Sequence, residues 1–162
     1  MEVEIDHKLT IRICILLIIM LGSSNLSKHF ASKWLKPDDI DLTKLLNVGE
    51  SFNASGFVTL GATTNRTKKP GDEIFSTPAM IHKMNKFLIQ KVNMKLPQYH
   101  AIVTNKVTCQ HKAPLSLGAH YNLSASVSNV TKENAEFRVI CDDDMKKVIG
   151  QAIIKIGVIR FE

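Results

Sequence analysis

The stretch IFSTPAMIHKMNKFLIQKV, residues 74–92, decides how the chain folds. On a wheel of 100° per residue, Met80, Ile81, Met84, Phe87, Leu88 and Val92 fill one broad apolar stripe, while His82, Lys83 and Lys86 point away from it. The spacing predicts an amphipathic helix over 77–93. Thr77 is an N-cap type, whose hydroxyl accepts from first-turn N–H groups, and Pro78 suits the first helical position, where its missing donor costs nothing. Asn85 lies at the rim of the stripe, a place for a bond to a neighbouring strand or for a functional group.

The segments around this helix alternate with period two. In 119–130, AHYNLSASVSNV, residues Ala119, Tyr121, Leu123, Ala125 and Val127 share one face and mostly polar residues take the other. Residues 134–142 repeat the pattern with Ala135, Phe137, Val139 and Cys141 inward. VTKEN between the two predicts a hairpin, and DDDMK leads into a further strand over 147–161. Three adjacent carboxylates in an extended segment cannot converge on one ion, so Asp142, Asp143 and Asp144 read as a solvated turn. Upstream, 52–62 reads as a strand with Phe52, Ala54, Val58, Leu60 and Ala62 on one side. Residues 100–111 form another, with Val103, Asn105, Val107, Cys109 and His111 sharing a face. The order is strand, helix, then four strands joined by hairpins. A single amphipathic helix buries its stripe by lying across the concave face of such a sheet, which makes the fold α+β: an antiparallel sheet of about five strands wrapped around one central helix.

Composition sets wide bounds. A chain of 162 residues, 44% apolar and 22% charged, is a globular protein with room for one sizeable core. The net charge of +6 favours anionic partners, but no run of basic residues interleaved with aromatics marks a nucleic-acid face. Cys14, Cys109 and Cys141 have neither metal-ligand spacing nor an even number, so reduced thiols are expected. His7, His29, His82, His100, His111 and His120 form no HxxxH or HxH pair, and no metal and no cofactor is expected.

The first 46 residues differ from the rest. ICILLIIML, 13–21, is a nine-residue apolar run, well short of the roughly 20 that span a bilayer. Glu2, Glu4 and Asp6 before it match a secretory signal poorly. GSSNLSKHFASKWLK, 22–36, is basic and free of acids, with Leu26, Phe30 and Trp34 spaced as on an amphipathic helix, as in an organelle transit peptide. Sequons at Asn25, Asn53, Asn65, Asn122 and Asn129 favour the secretory route, although a chain rich in Asn, Ser and Thr produces them by chance. An intracellular location, mitochondrial or cytoplasmic, is the expectation, with the secretory route as the alternative. Pro37, Asp38, Asp39 and Asp41 read as a linker, which divides the chain into an N-terminal extension, 1–46, and a domain, 47–162.

The element order resembles the hotdog fold of acyl-CoA thioesterases and dehydratases, and two motifs narrow the likeness. FSTPAMIHKMNKF is similar to the start of the central helix in the fluoroacetyl-CoA thioesterase-like family, where a threonine precedes a helix carrying a catalytic glutamate. CQHKAPLSLG, 109–118, is similar to that family's histidine, set seven residues ahead of a turn glycine. The resemblance implies that Thr77 orients water or attacks the thioester and that His111 is the general acid/base. Two positions depart from the pattern: Asn85 stands where the glutamate is expected, and Thr104 where a glycine close to the substrate is usual. From the residues alone, His111 is also a plain hydrogen-bonded core residue and Thr77 a plain cap.

With that resemblance, the catalytic candidates are Thr77, His111 and Asn85, and the substrate-binding candidates are Ala79, Met80, Thr104 and Lys112. The N–H groups of Ala79 and Met80, at the positive end of the helix, are the expected oxyanion donors, since Pro78 has none. An amide at 85 can hold water but cannot take its proton at neutral pH. The expectation is an acyl-CoA thioesterase-like protein of reduced or altered activity, forming a homodimer by edge-to-edge sheet pairing. A non-catalytic acyl-CoA or lipid-binding module, or a secreted glycoprotein of the same fold, is the alternative.

Overall fold

The computed structural model describes residues 35–37 and 40–161. The apolar run 13–21, residues 22–34 of the basic segment after it, Cys14 and the Asn25 sequon lie outside the described residues. Strands β1 (Leu35–Pro37), β2 (Ser51–Phe57), β3 (Thr63–Thr64) and β4 (Ile74–Phe75) precede the helix α1 (Thr77–Asn93), and β5 (His100–His111), β6 (His120–Val130), β7 (Asn134–Asp142) and β8 (Val148–Phe161) follow it. The main sheet is antiparallel, in the order β2–β6–β7–β8–β5, with β1 paired to the end of β8. The expected helix forms over its expected length, and Met80, Met84, Phe87, Leu88 and Val92 are buried against the sheet.

The alternation in β6 and β7 holds. Tyr121, Leu123, Ala125 and Val127, and opposite them Ala135, Phe137, Val139 and Cys141, are at most 5% exposed. Burial pushes the Cys141 thiol up to about 12, with help from Asp142 and Cys109, so it stays protonated; Cys109 is also a free thiol. At the triple aspartate, Asp143 accepts from Met145 and Lys147 N–H, and Asp144 pairs with His120.

Four expectations are corrected. First, the strand expected over 52–62 ends at Phe57. A 3-10 turn at Leu60–Ala62 follows, leaving Leu60 68% exposed, because the chain must bend into the β3–β4 ladder. Second, β5 is no hairpin partner of β6. It pairs with β8 at the other end of the sheet, reached through the connection 112–119, where Gly118 at φ 79° makes a turn that an L side chain resists. Third, the packed core begins before residue 47: Leu42 and Leu46 are 0% and 1% exposed. Asp41, assigned to a linker, caps the 3-10 turn Leu42–Lys44 by accepting from Thr43 N–H.

The fourth correction bears most on function. The register of β5 against β8 shifts between Thr104 and Lys106, so Asn105 is the extra residue of a bulge. Residues directly opposite in an antiparallel ladder share a face. Ile102 and Thr104 oppose Val158 and Ile156; beyond the bulge Val107, Cys109 and His111 oppose Ile154, Ala152 and Gly150. Thus Thr104, not Val103 or Asn105, shares the helix-facing side with His111.

Candidate functional site

The structure sorts the sequence candidates into two hydrogen-bonded pairs. At the start of α1, Thr77 Oγ1 lies 2.8 Å from His111 Nδ1. Farther along the helix, Thr104 Oγ1 donates to Asn85 Oδ1 at 2.7 Å. The two positions that depart from the family pattern are therefore bonded to each other.

Thr77 is free for His111 because it is not the cap. Ser76 takes that place, with extended φ and ψ of −79° and 145°; its hydroxyl accepts from Ala79 N–H at 3.3 Å and its carbonyl from Met80 N–H at 2.9 Å. Thr77 becomes the first helical residue, with its side chain exposed at the mouth of the helix. The same bonds revise the oxyanion assignment. Ala79 and Met80 N–H are both engaged, Met80 is fully buried, and Pro78 has no N–H. Thr77 N–H is the first-turn donor that meets no acceptor among the described residues. It lies at the positive end of a 17-residue helix.

His111 closes β5 and is half-buried. Its Nε2 is buried and without a hydrogen-bond partner among the described residues, so no carboxylate orients the ring. With a neutral imidazole carrying its proton on Nε2, the Thr77 hydroxyl donates to Nδ1, the direction a general base requires. Across the ladder, Gly150 leaves the space that Met80 fills: a Cβ there would lie 2.5 Å from Met80 Sδ and Cε. The start of α1 can therefore settle beside His111.

The pair opens on a cleft of about 690 Å³ lined by residues from the β3–β4 hairpin, the helix start and the segment after β5. Thr63, Thr64 and Arg66 come from the hairpin, Thr77 and Pro78 from the helix start, and His111, Lys112 and Pro114 from the end of β5 and the segment after it. Neither Asn85 nor Thr104 lines it. Lys112, a sequence candidate, is exposed there; its N–H is held by Ile149 C=O at 2.8 Å.

Sequence reasoning missed Ser76, Gly150 and Arg66. Ser76 had a signal, since Ser-Thr-Pro offers two adjacent cap types. Gly150, inside a strand pattern, flagged a close approach without naming the neighbour. Arg66, in a polar loop, had none.

A hot-dog-like protein from Thermanaerovibrio acidaminovorans has 23% sequence identity and a TM-score of 0.67, over 75% of this chain and 89% of its own. The fluoroacetyl-CoA thioesterase FlK has 20% identity and a TM-score of 0.63, over 71% and 89%. A thioesterase superfamily member from Thermus thermophilus has 15% identity and a TM-score of 0.62, over 71% and 85%. These likenesses show the hotdog fold. Among curated proteins none matches the chain. The model of the fluoroacetyl-CoA-specific thioesterase family, FlK, matches residues 58–162, which include both hydrogen-bonded pairs and the whole cleft, and the chain belongs to that family.

Proposed function

We propose that the chain hydrolyses the thioester of an acyl-CoA, with Thr77 as nucleophile and His111 as general acid/base. The observation that carries this reading is the 2.8 Å contact between Thr77 Oγ1 and His111 Nδ1, both of which line the cleft. Thr77 Oγ1 attacks the carbonyl carbon as its proton passes to Nδ1. The carbonyl oxygen becomes an oxyanion and takes Thr77 N–H as donor, at the positive helix terminus. Collapse breaks the carbon–sulfur bond, and CoA leaves as the thiol with the proton held on Nδ1. A water then gives its proton to Nδ1 and its oxygen to the acyl-threonine. The carboxylic acid departs and Thr77 regains its hydroxyl.

Asn85 has no part as a base in this route. Its Oδ1 is occupied by the Thr104 hydroxyl, and an amide oxygen does not take a proton at neutral pH. With no carboxylate behind His111, turnover is slow relative to a three-residue site, because nothing stabilises the imidazolium as it forms. We infer also that two copies pair edge to edge. The sheet ends on β2 and β5, whose outer edges have no partner strand among the described residues, and β5 is 12 residues long.

The test is free-thiol release from a panel of acyl-CoAs by the wild type and by His111→Ala. The reading requires release that falls about 10²- to 10⁴-fold in the variant. No release from any thioester, alongside calorimetric binding of acyl-CoA, would leave a binding module instead. Sedimentation of a monomer at micromolar concentration would remove the dimer.

A further inference from the structure

We propose that the cleft carries an anion subsite, formed by Arg66 from the β3–β4 loop and Lys112 from the segment after β5, that reads a negatively charged group of the thioester: a phosphate of CoA, or a carboxylate borne by the acyl chain. This rests on the thioesterase reading and names what recognises its substrate.

The first observation is the balance of charge in the cleft. Arg66 and Lys112 both line it, and no Asp or Glu does. Among the described residues neither enters an ion pair; most of the described lysines and arginines share that state, and what distinguishes these two is that they line the same cleft. Both side chains are exposed, so solvent and salt screen them, and what favours an anion here is that two cations meet at one cleft with no acid to offset them.

The second is how the loop bearing Arg66 is built. The β3–β4 ladder closes its base, pairing Thr64 with Ile74. Asn65 Oδ1 accepts from Lys68 N–H at 2.8 Å, and Asn65 Nδ2 donates to Lys69 C=O at 2.7 Å and to Glu73 Oε1 at 3.2 Å. Thr67 Oγ1 donates to Asp72 Oδ2 at 2.6 Å, and Gly71 N–H to Glu73 Oε2 at 2.9 Å. Both acids of the loop are thus turned onto its own donors, where they fix the backbone. Arg66 sits on a preorganised frame, so little backbone ordering remains to oppose binding. Asn65 itself is committed to that frame, which argues against a glycan on its sequon.

The third is what the cleft lacks. Of its large apolar side chains, Phe75 is 1% exposed and stacked on Tyr121, already part of the core. Ile74, Pro78 and Pro114 are the larger apolar groups that remain, too few to bury a long alkyl chain, so a short acyl group fits the lining better.

The experiment compares four thioesters, acetyl and succinyl, each on CoA and on pantetheine, with wild type, Arg66→Ala, Lys112→Ala, the double variant and Arg66→Lys. We expect a wild-type kcat/KM preference of about tenfold, the factor of one charge-assisted contact. A preference for CoA over pantetheine assigns the subsite to phosphate; one for succinyl over acetyl assigns it to the acyl carboxylate. In either case the double variant loses the preference and Arg66→Lys keeps most of it. No preference in the wild type, or one that survives in the double variant, overturns the proposal. If the wild type turns over none of the four, the hydrolase reading fails by itself. Calorimetry with CoA and with succinyl-pantetheine then decides the subsite: binding lost in the double variant upholds it, and equal or absent binding overturns it.

Discussion

Ser76 and Thr77 stand side by side, and the structure gives them opposite duties that two substitutions can separate. Ser76→Ala removes the hydroxyl that accepts from Ala79 N–H, and the loss of an N-cap costs about 1 kcal/mol. For a folded unit between the two size classes usually compared, that lowers Tm by roughly 3–5 °C. The Thr77 and His111 side chains stay as they were, so turnover should change less than threefold. Thr77→Ala removes instead an exposed hydrogen bond to His111, worth about 0.5 kcal/mol. A few tenths return because alanine is the better helix former. The net effect on stability is near zero, while turnover falls by about 10²-fold or more as the attacking oxygen is lost.

Urea unfolding and thiol release on the same preparations measure both halves. Thr77 and His111 act as one unit in this scheme, so the double variant Thr77→Ala/His111→Ala should be no slower than the worse single variant, within a few-fold. The reasoning is refuted if Thr77→Ala destabilises by 1 kcal/mol or more while Ser76→Ala does not, because Thr77 would then be the cap. It is refuted equally if Thr77→Ala turns over at the wild-type rate.

The other perturbations test the surroundings of this pair. Asn85→Glu introduces a carboxylate to which the Thr104 hydroxyl still donates, which favours the ionised form and weakens it as a base. A rate gain of about tenfold is expected, and a further gain when Thr104→Gly is added; no gain in either would make the 85–104 bond purely structural. Gly150→Ala drives a methyl to within 2.5 Å of the buried Met80 thioether and 3.1 Å of Gln110 C=O. It should cost about 1–3 kcal/mol in urea unfolding and slow turnover by shifting the helix start from His111; unchanged stability would show that Met80 gives way freely. Glu50 is held below the usual carboxylate range chiefly by Lys95, which also reaches Leu45 C=O at 3.3 Å and lies 5.6 Å from the Phe52 ring centroid. Because the folded-state value is lowered, this stabilisation is complete above the ordinary Glu value and is lost as pH falls through the folded one. Lys95→Met should therefore lose about 0.5–1 kcal/mol at neutral pH, and less as the pH is lowered until Glu50 is protonated in the folded protein; a loss independent of pH would assign the effect to packing.

Most of the fold was legible because its signals are local. A 17-residue amphipathic helix and two strands of clean alternation can bury their apolar faces in only one arrangement. Thr77, at the start of the helix, and His111, at the end of β5, could be named as candidates before their 2.8 Å contact was known. What was not legible depends on groups far apart in sequence. The cap moved by one residue because Ser76 and Thr77 are chemically equivalent until His111 engages one of them. The free first-turn N–H moved with it, from Ala79 and Met80 to Thr77, since the cap residue determines which N–H groups are already bonded. The position of β5 was missed because its partner, β8, lies beyond two further strands.

The bulge at Asn105 shows why a misread parity matters for chemistry and not only for topology. Counting back from His111 in steps of two puts Asn105 and Val103 inward and turns Thr104 outward. In that register Asn85, on the helix, would face the sheet without the Thr104 hydroxyl, and Ile102 would give up its buried place, where it is 7% exposed. Burying Ile102 while keeping His111 toward the helix requires one unpaired residue between them. Asn105 fits that role: it is polar, exposed, and its amide donates to Asn134 Oδ1 at 3.0 Å. The extra residue thus gives one strand two sets of inward side chains, Thr104 for Asn85 and His111 for Thr77. Deleting Asn105 should cost one pair or the other. Because the burial of Ile102 and Thr104 competes with that of Val107, Cys109 and His111, the larger set should keep its register. The deletion variant should accordingly lose the Thr104–Asn85 bond first and retain the Thr77–His111 contact, with turnover surviving in a less stable protein. Abolished turnover at unchanged stability would show that the opposite half of the strand had slipped.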